Sequence, residues 1–324
     1  MFDNIFKTKH TLTDITSHPL LNAEYGIVTF LIISAILTIY ISLSVTKGKP
    51  ENFSLFLYIV LRLARLLPQL MIFILLTFLL PLLGSGPLWA EVVGSNVDKC
   101  QTNWWLNMLL IQNLYKSDQM CAVHTWYIAL DFQYHVMTAI VVLVYLYNKK
   151  AGIILNTIII VIFLIISSIM IYVYEVPPAI IHTSRTEHFE KYFGNLYHKL
   201  PPSYGVMKPT FNITKSSLTI IWIAILAAYC IPLWDKVYWS YGRPFSPAFA
   251  TVFYTLCRVI WTVCTSLMIW LCISGKGGLI NTFLSHRAFV PMARLTYSVY
   301  LCHAWLIWYF MGSRRHVMDT HMYN

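Results

Sequence analysis

The chain reads as an all-α, polytopic membrane bundle of about seven transmembrane helices, and three observations carry that reading. Of its 324 residues, 58% are hydrophobic and only 11% are charged. Apolar runs of roughly 18 residues or more recur along it, each able to cross about 30 Å of hydrocarbon. The alternating pattern of membrane β-strands does not occur in the sequence.

Residues 1–24 are polar (M-F-D-N-I-F-K-T-K-H…) and lack the apolar centre of a cleavable signal, so the first span is expected to act as its own targeting signal. That span covers 26–46 and the second covers 64–84, following Arg62 and Arg65. A loop opens on G-S-G-P-L-W at 84–89 and closes at Cys121. Within it N-W-W-L-N-M-L-L-I-Q-N, at 103–113, is too short to cross. It is expected to lie along the interface, with Trp104 and Trp105 in the aromatic belt. The third span is 126–147 and the fourth 152–174, joined by the turn Asn148-Lys149-Lys150. After a long polar stretch come spans five to seven at 216–233, 249–273 and 290–311. The division is a polar segment 1–24, a transmembrane domain 25–312 and a polar tail 313–324.

The formal charge of +10 would point to nucleic acid in a soluble domain. Here the basic residues fall between spans, where topology and anionic lipid account for them and nucleic acid does not. Lys47, Lys49, Arg62 and Arg65 place the first inter-helix loop in the cytoplasm, and Lys149 and Lys150 place the turn after the third span there too. The loop from Cys100 to Cys121 then faces outward. Beyond residue 175 the alternation breaks: Lys276, Arg287 and Arg294 fall outside unless one more crossing lies between about 176 and 215. No apolar run there is long enough.

Of the seven cysteines, only Cys100 and Cys121 lie in a polar loop, and they are expected to form one disulfide on an oxidising face. The other five read as small packing residues. Asn52-F-Ser54 and Asn212-I-Thr214 are glycosylation sequons. Asn52 lies on the cytoplasmic side and is expected to be silent, while Asn212 depends on whether the extra crossing exists.

Asp131 falls inside the third span, where a carboxylate costs on the order of 2.5–3.5 kcal/mol. On a helix, positions 124, 128, 131 and 135 share one face, so His124, Asp131 and His135 make a polar stripe. A histidine with a carboxylate is a general acid/base pair. The bland reading is that His124 caps the helix and Asp131 bonds a neighbouring one. Arg62-x-x-Arg65 offers two guanidiniums on one face, suited to phosphate or pyrophosphate, or else ordinary cytoplasmic charge. Arg258 lies inside the sixth span, where an arginine usually faces a cavity or a carboxylate. His303 shares a stripe with Tyr300 and Thr296 and is either a relay or a satisfied interior histidine. Walker A, G-x-S-x-G and zinc spacings are missing, and no metal or bound cofactor is expected.

Taken in order, G-S-G-P-L-W, then Cys100…N-W-W-x-N-x-L-x-I-x-N, then Cys121-x-x-His124-T-W-Y-x-x-x-Asp131-x-Q resemble the membrane acyltransferase 3 family, in its nose-resistant-to-fluoxetine branch. Arg258-x-x-Trp261, S-G-K-G-G-L-I-N at 274–281 and R-L-T-Y-S-V-Y-L-C-H at 294–303 extend the likeness to roughly 25–312. The resemblance implies a bundle of about ten or more helices that moves an acyl group from an acyl-CoA-type donor to a lipid or hydrophobic acceptor. It implies donor handling for Arg62 and Arg65, and site roles for His124 and Asp131. In that branch it implies uptake of lipids and hydrophobic compounds, in the endoplasmic reticulum or plasma membrane.

The departures from the pattern are specific. The family's first helix, R-x-L-x(n)-H, carries its expected catalytic base and is not found here. The V-D-T-F-F-x-x-S-G motif appears as Ile27 to Ala35, with Val28 for its Asp and Ala35 for its Gly. The helix opening K-P-W-T-R-I is reduced to His198-Lys199-Leu200-Pro201-Pro202-Ser203-Tyr204-Gly205, at the crossing the charges require. The expectation is therefore a shortened family member without activity of its own, with a non-catalytic carrier of hydrophobic compounds as the alternative.

Overall fold

The computed structural model describes residues 16, 18–22, 24–174, 215–235, 237 and 246–315. The extra crossing sought between 176 and 215, and the sequon at Asn212, lie outside the described residues. Nine helices concern the site: α1 Glu24–Thr46, α2 Leu55–Thr77, α3 Ser95–Met108, α4 Trp126–Tyr147, α5 Lys149–Val173, α6 Lys215–Leu233, α7 Pro247–Ile273, α8 Gly278–Leu284 and α9 Phe289–Ser313. No strand occurs among the described residues.

Six of these helices (α1, α2, α4, α5, α6 and α7) are long and apolar enough to cross a membrane. The seventh expected span, α9, forms a helix of full length but is less apolar, since Arg294, His303 and the tyrosines Tyr297, Tyr300 and Tyr309 interrupt it. Phe56, Ile220 and Leu306 stand 66–78% exposed on outward faces, the surface that lipid tails cover.

Helix α2 begins at Leu55 and not near residue 64, because Ser54 is extended and its hydroxyl caps the Leu57 N–H. Arg62 therefore lies two turns inside the helix and not at its cytoplasmic end. Between α4 and α5 the turn is tight enough that a Cβ on Gly152 would fall 2.5 Å from the Tyr145 backbone. Asn148 caps α5 by accepting from the Lys150 and Ala151 N–H groups.

Helix α4 is the shared element: it packs against α1, α2 and α5, while α7 packs against α1, α5 and α6. Helix α9 packs along α2 and against a π-helical turn, Ala90–Gly94, that leads into α3. The G-S-G-P-L-W segment seats the end of α9. A Cβ on Gly86 would fall 2.2 Å from the Gly312 carbonyl oxygen. Trp89 meets Tyr309 edge to face at 5.6 Å.

The largest core joins α2, α4 and α9 through Leu70, Phe73, Ile128 and Leu301, with the disulfide cysteines beside them.

Candidate functional site

Two polar groups lie along α4, one where it meets α1 and α2 and the other where the turn before it meets α2 and α9. In the first, Arg62 Nη2 forms an ion pair with Asp131 Oδ2. Ser34 on α1 donates to Asp131 Oδ1 at 2.7 Å and accepts from Arg62 at 2.8 Å. Three helices thus converge on one carboxylate. A buried charge needs a partner and hydrogen bonds to its remaining lone pairs, and both conditions are met here. The pairing corrects the expected topology, which set Arg62 and Asp131 at opposite faces: they lie at one depth.

It corrects the arginine motif as well. Arg62 turns inward to Asp131 while Arg65 is exposed, so the two guanidiniums do not act as one fork. Arg62 Nε is buried and has no hydrogen-bond partner.

One turn away, Tyr58 and His135 stack with ring centroids 4.0 Å apart and planes 9° from parallel. Each bonds the other's backbone: the Tyr58 hydroxyl donates to the His135 carbonyl at 3.3 Å, and His135 Nε2 donates to the Tyr58 carbonyl at 3.4 Å.

The second group centres on His124, which sits in the 3-10 turn Val123–Thr125, ahead of α4. Its ring meets His303 at 5.2 Å, Phe73 at 5.3 Å and Tyr300 at 5.8 Å, centroid to centroid. Tyr300 donates its hydroxyl proton to the His124 carbonyl, and His303 Nδ1 donates to the Tyr300 carbonyl. His124 Nε2 is buried without a partner. The acid/base pair expected between His124 and Asp131 is not formed. Asp131 spends both oxygens on Arg62 and Ser34, and His124 faces α9 because it precedes the helix that sets the stripe.

Aromatic hydroxyls stand between the two groups. Tyr127 meets Tyr300 at 5.6 Å. Tyr297 donates to the Leu66 carbonyl at 2.9 Å, fastening α9 to α2.

Arg258 belongs elsewhere: its guanidinium lies 4.4 Å over the Tyr254 ring and donates to that hydroxyl. Its motif partner Trp261 donates to Thr29 at 2.9 Å and stacks on Tyr25.

Cys100 and Cys121 are joined, and both are fully buried. The 103–113 segment is half as expected. Trp104 and Trp105 are exposed by 43% and 45%, but the segment also carries an inward face of Asn103, Asn107, Gln112 and Asn113. Asn52 is exposed and donates weakly to the Thr46 carbonyl at 3.3 Å.

Sequence reasoning passed over Ser34, which with Thr29 is kept from a motif whose Asp is replaced by Val28. It also passed over Asp235, 6% exposed, which accepts from Tyr25 at 2.9 Å and Asn22 at 3.0 Å. Asp235 lies just past α6, where nothing in the local pattern marked it as buried.

Comparison with known proteins bears on this arrangement. The profile of a family described as "Acyltransferase domain" (acyltransferase 3) matches residues 2–320. Nose resistant to fluoxetine protein 6 of Caenorhabditis elegans is 25% identical over 253 residues, which is 68% of this chain and 30% of that protein. The chain thus spans about a third of that relative's length. No solved structure matches.

Proposed function

Because the chain belongs to the acyltransferase 3 family of membrane proteins, we propose that it transfers an acyl group from an acyl-CoA-type thioester to the hydroxyl of a lipid or another hydrophobic acceptor. The observation that carries this reading is His124 Nε2, a buried ring nitrogen with no partner in a turn whose carbonyls are bonded. A general base needs such a free lone pair.

In this scheme His124 Nε2 takes the proton of the acceptor hydroxyl as its oxygen attacks the thioester carbonyl. The C–O bond forms, the C–S bond breaks, and the proton passes on to the departing thiolate. Arg62 is the donor-side candidate through the Nε–H that its ion pair leaves unused. His303 and Tyr300 hold the His124 ring from α9. The donor is a substrate, and no resident cofactor is invoked. The membrane is the endoplasmic reticulum or the plasma membrane, where one face is oxidising enough for the Cys100–Cys121 bridge. No feature of this geometry favours the carrier reading.

The test is acyl transfer from labelled acyl-CoA to lipid by the full protein in liposomes. His124→Asn is expected to lower the rate by roughly 10²–10⁴-fold. Wild-type protein that folds but transfers nothing, or a His124→Asn variant as fast as wild type, overturns the reading.

A further inference from the structure

The turn that carries His124 is held almost entirely by the segment before it. Cys121 is tied to Cys100 of α3. Asn107 Nδ2 donates to the Cys121 carbonyl at 3.3 Å and to the Thr125 hydroxyl at 2.8 Å. Gln112 Nε2 donates to the Thr125 carbonyl at 3.0 Å and to its hydroxyl at 3.3 Å. The Thr125 N–H closes the turn on the Ala122 carbonyl at 2.8 Å. With Tyr300 on the His124 carbonyl, the carbonyls of residues 121, 122, 124 and 125 are all engaged.

Two features separate this from ordinary packing. Ala122 has φ of 50°, in the left-handed region that an alanine enters only at a cost. Asn107 Oδ1 and Gln112 Oε1 are buried without partners, each costing about 1–3 kcal/mol. A clamp that served stability alone would shed both costs. Here the strain and the orphaned oxygens surround a turn that presents an unpartnered imidazole nitrogen.

We propose that Asn107, Gln112 and Thr125 are positioning residues for His124: they fix the backbone of its turn so that Nε2 keeps one direction within the α2–α4–α9 seam. The proposal rests on the acyl-transfer reading, in which a small misplacement of the base is costly.

The experiment uses the full protein in liposomes with acyl-CoA as donor. Thr125→Val keeps the shape and removes both hydroxyl lone pairs, and Thr125→Ser restores them. Asn107→Asp turns the donor toward Thr125 into an acceptor. Thr125→Val and Asn107→Asp are expected to lower kcat by about 10-fold or more, with KM for the donor within about twofold. Thr125→Ser is expected to recover at least half of the loss. If Asn107→Asp does not yield monodisperse protein, Gln112→Met, which leaves both Asn107 bonds in place, carries the same expectation. If His124→Asn abolishes transfer while these variants run at the wild-type kcat, the positioning role is wrong and the acyl-transfer reading stands. If Thr125→Ser fails to recover what Thr125→Val loses, the hydroxyl is not the element that matters and the proposal fails. Wild-type protein without transfer overturns the acyl-transfer reading itself, and with it this one.

Discussion

Arg62 and Asp131, on α2 and α4, share an ion pair that Ser34 of α1 closes into a triangle. Each charge is neutralised by its neighbour where hydrocarbon surrounds the helices, and the hydroxyl serves as donor to one and acceptor to the other. The pair therefore acts as a three-helix staple whatever else Arg62 does.

Removing one partner should cost far more than removing both. Arg62→Ala or Asp131→Ala leaves a buried charge unpaired and is expected to destabilise the protein by about 3–5 kcal/mol. The double replacement Arg62→Met with Asp131→Leu should recover most of that loss. Unfolding in detergent measures all three, and a double variant as unstable as the sum of the singles would exclude the staple.

At Gly86 the α9 terminus leaves no room for a side chain. Gly86→Ala must displace backbone, not a flexible side-chain end, so a loss at or beyond the upper end of about 1–3 kcal/mol is expected. Ser85→Ala, at an exposed neighbour, should stay within about 0.5 kcal/mol of wild type. Equal thermal midpoints for the two variants would contradict the seating of α9.

Trp305 stacks on Phe73 at 4.6 Å and donates to the Thr77 hydroxyl at 2.8 Å. Trp305→Phe keeps the stack and loses one bond. The Thr77 hydroxyl still donates to the Phe73 carbonyl, so the cost should be about 1 kcal/mol. Trp305→Ala should cost about 3–5 kcal/mol. The ratio between the two variants, read from unfolding curves, is the measurement, and similar losses would mean that the bond and not the ring secures α9.

The cysteine assignment is checked by mass. Unfolded without reductant, the chain should take up five alkyl groups, one for each free thiol. After reduction it should take up seven. Seven before reduction would remove the Cys100–Cys121 tie from the His124 turn.

Length and apolarity were enough to read the spans, because the hydrocarbon imposes them one helix at a time. Boundaries were less legible where a cap decides: Ser54 starts α2 inside a stretch that charge alone assigned to a loop. Asp131, His124, His303 and Tyr300 announced themselves as polar residues in apolar surroundings. Their partners did not. Helical periodicity aligns residues on one helix, so it joined His124 to Asp131 and could not know that the turn before Trp126 would send His124 toward α9. It likewise paired Arg62 with Arg65, when the decisive neighbour was a carboxylate 69 positions away. Contacts between helices depend on packing, and one chain without its relatives carries little of that information.

Both polar groups hang from one stretch of backbone that starts at Cys121 and runs down α4 to His135, and this makes the stretch a ruler. Substitutions along it alter only the contacts of the residue replaced. A single inserted or deleted residue between Trp126 and Asp131 would turn everything downstream by about 100°. Asp131 would leave Arg62, and His135 would leave Tyr58, while His124, anchored from α3, stayed where it is. The interval from Cys121 to His135 is thus fixed in length more strictly than in composition, and a chain that kept every side chain but changed that count by one would lose the relation between its two polar centres.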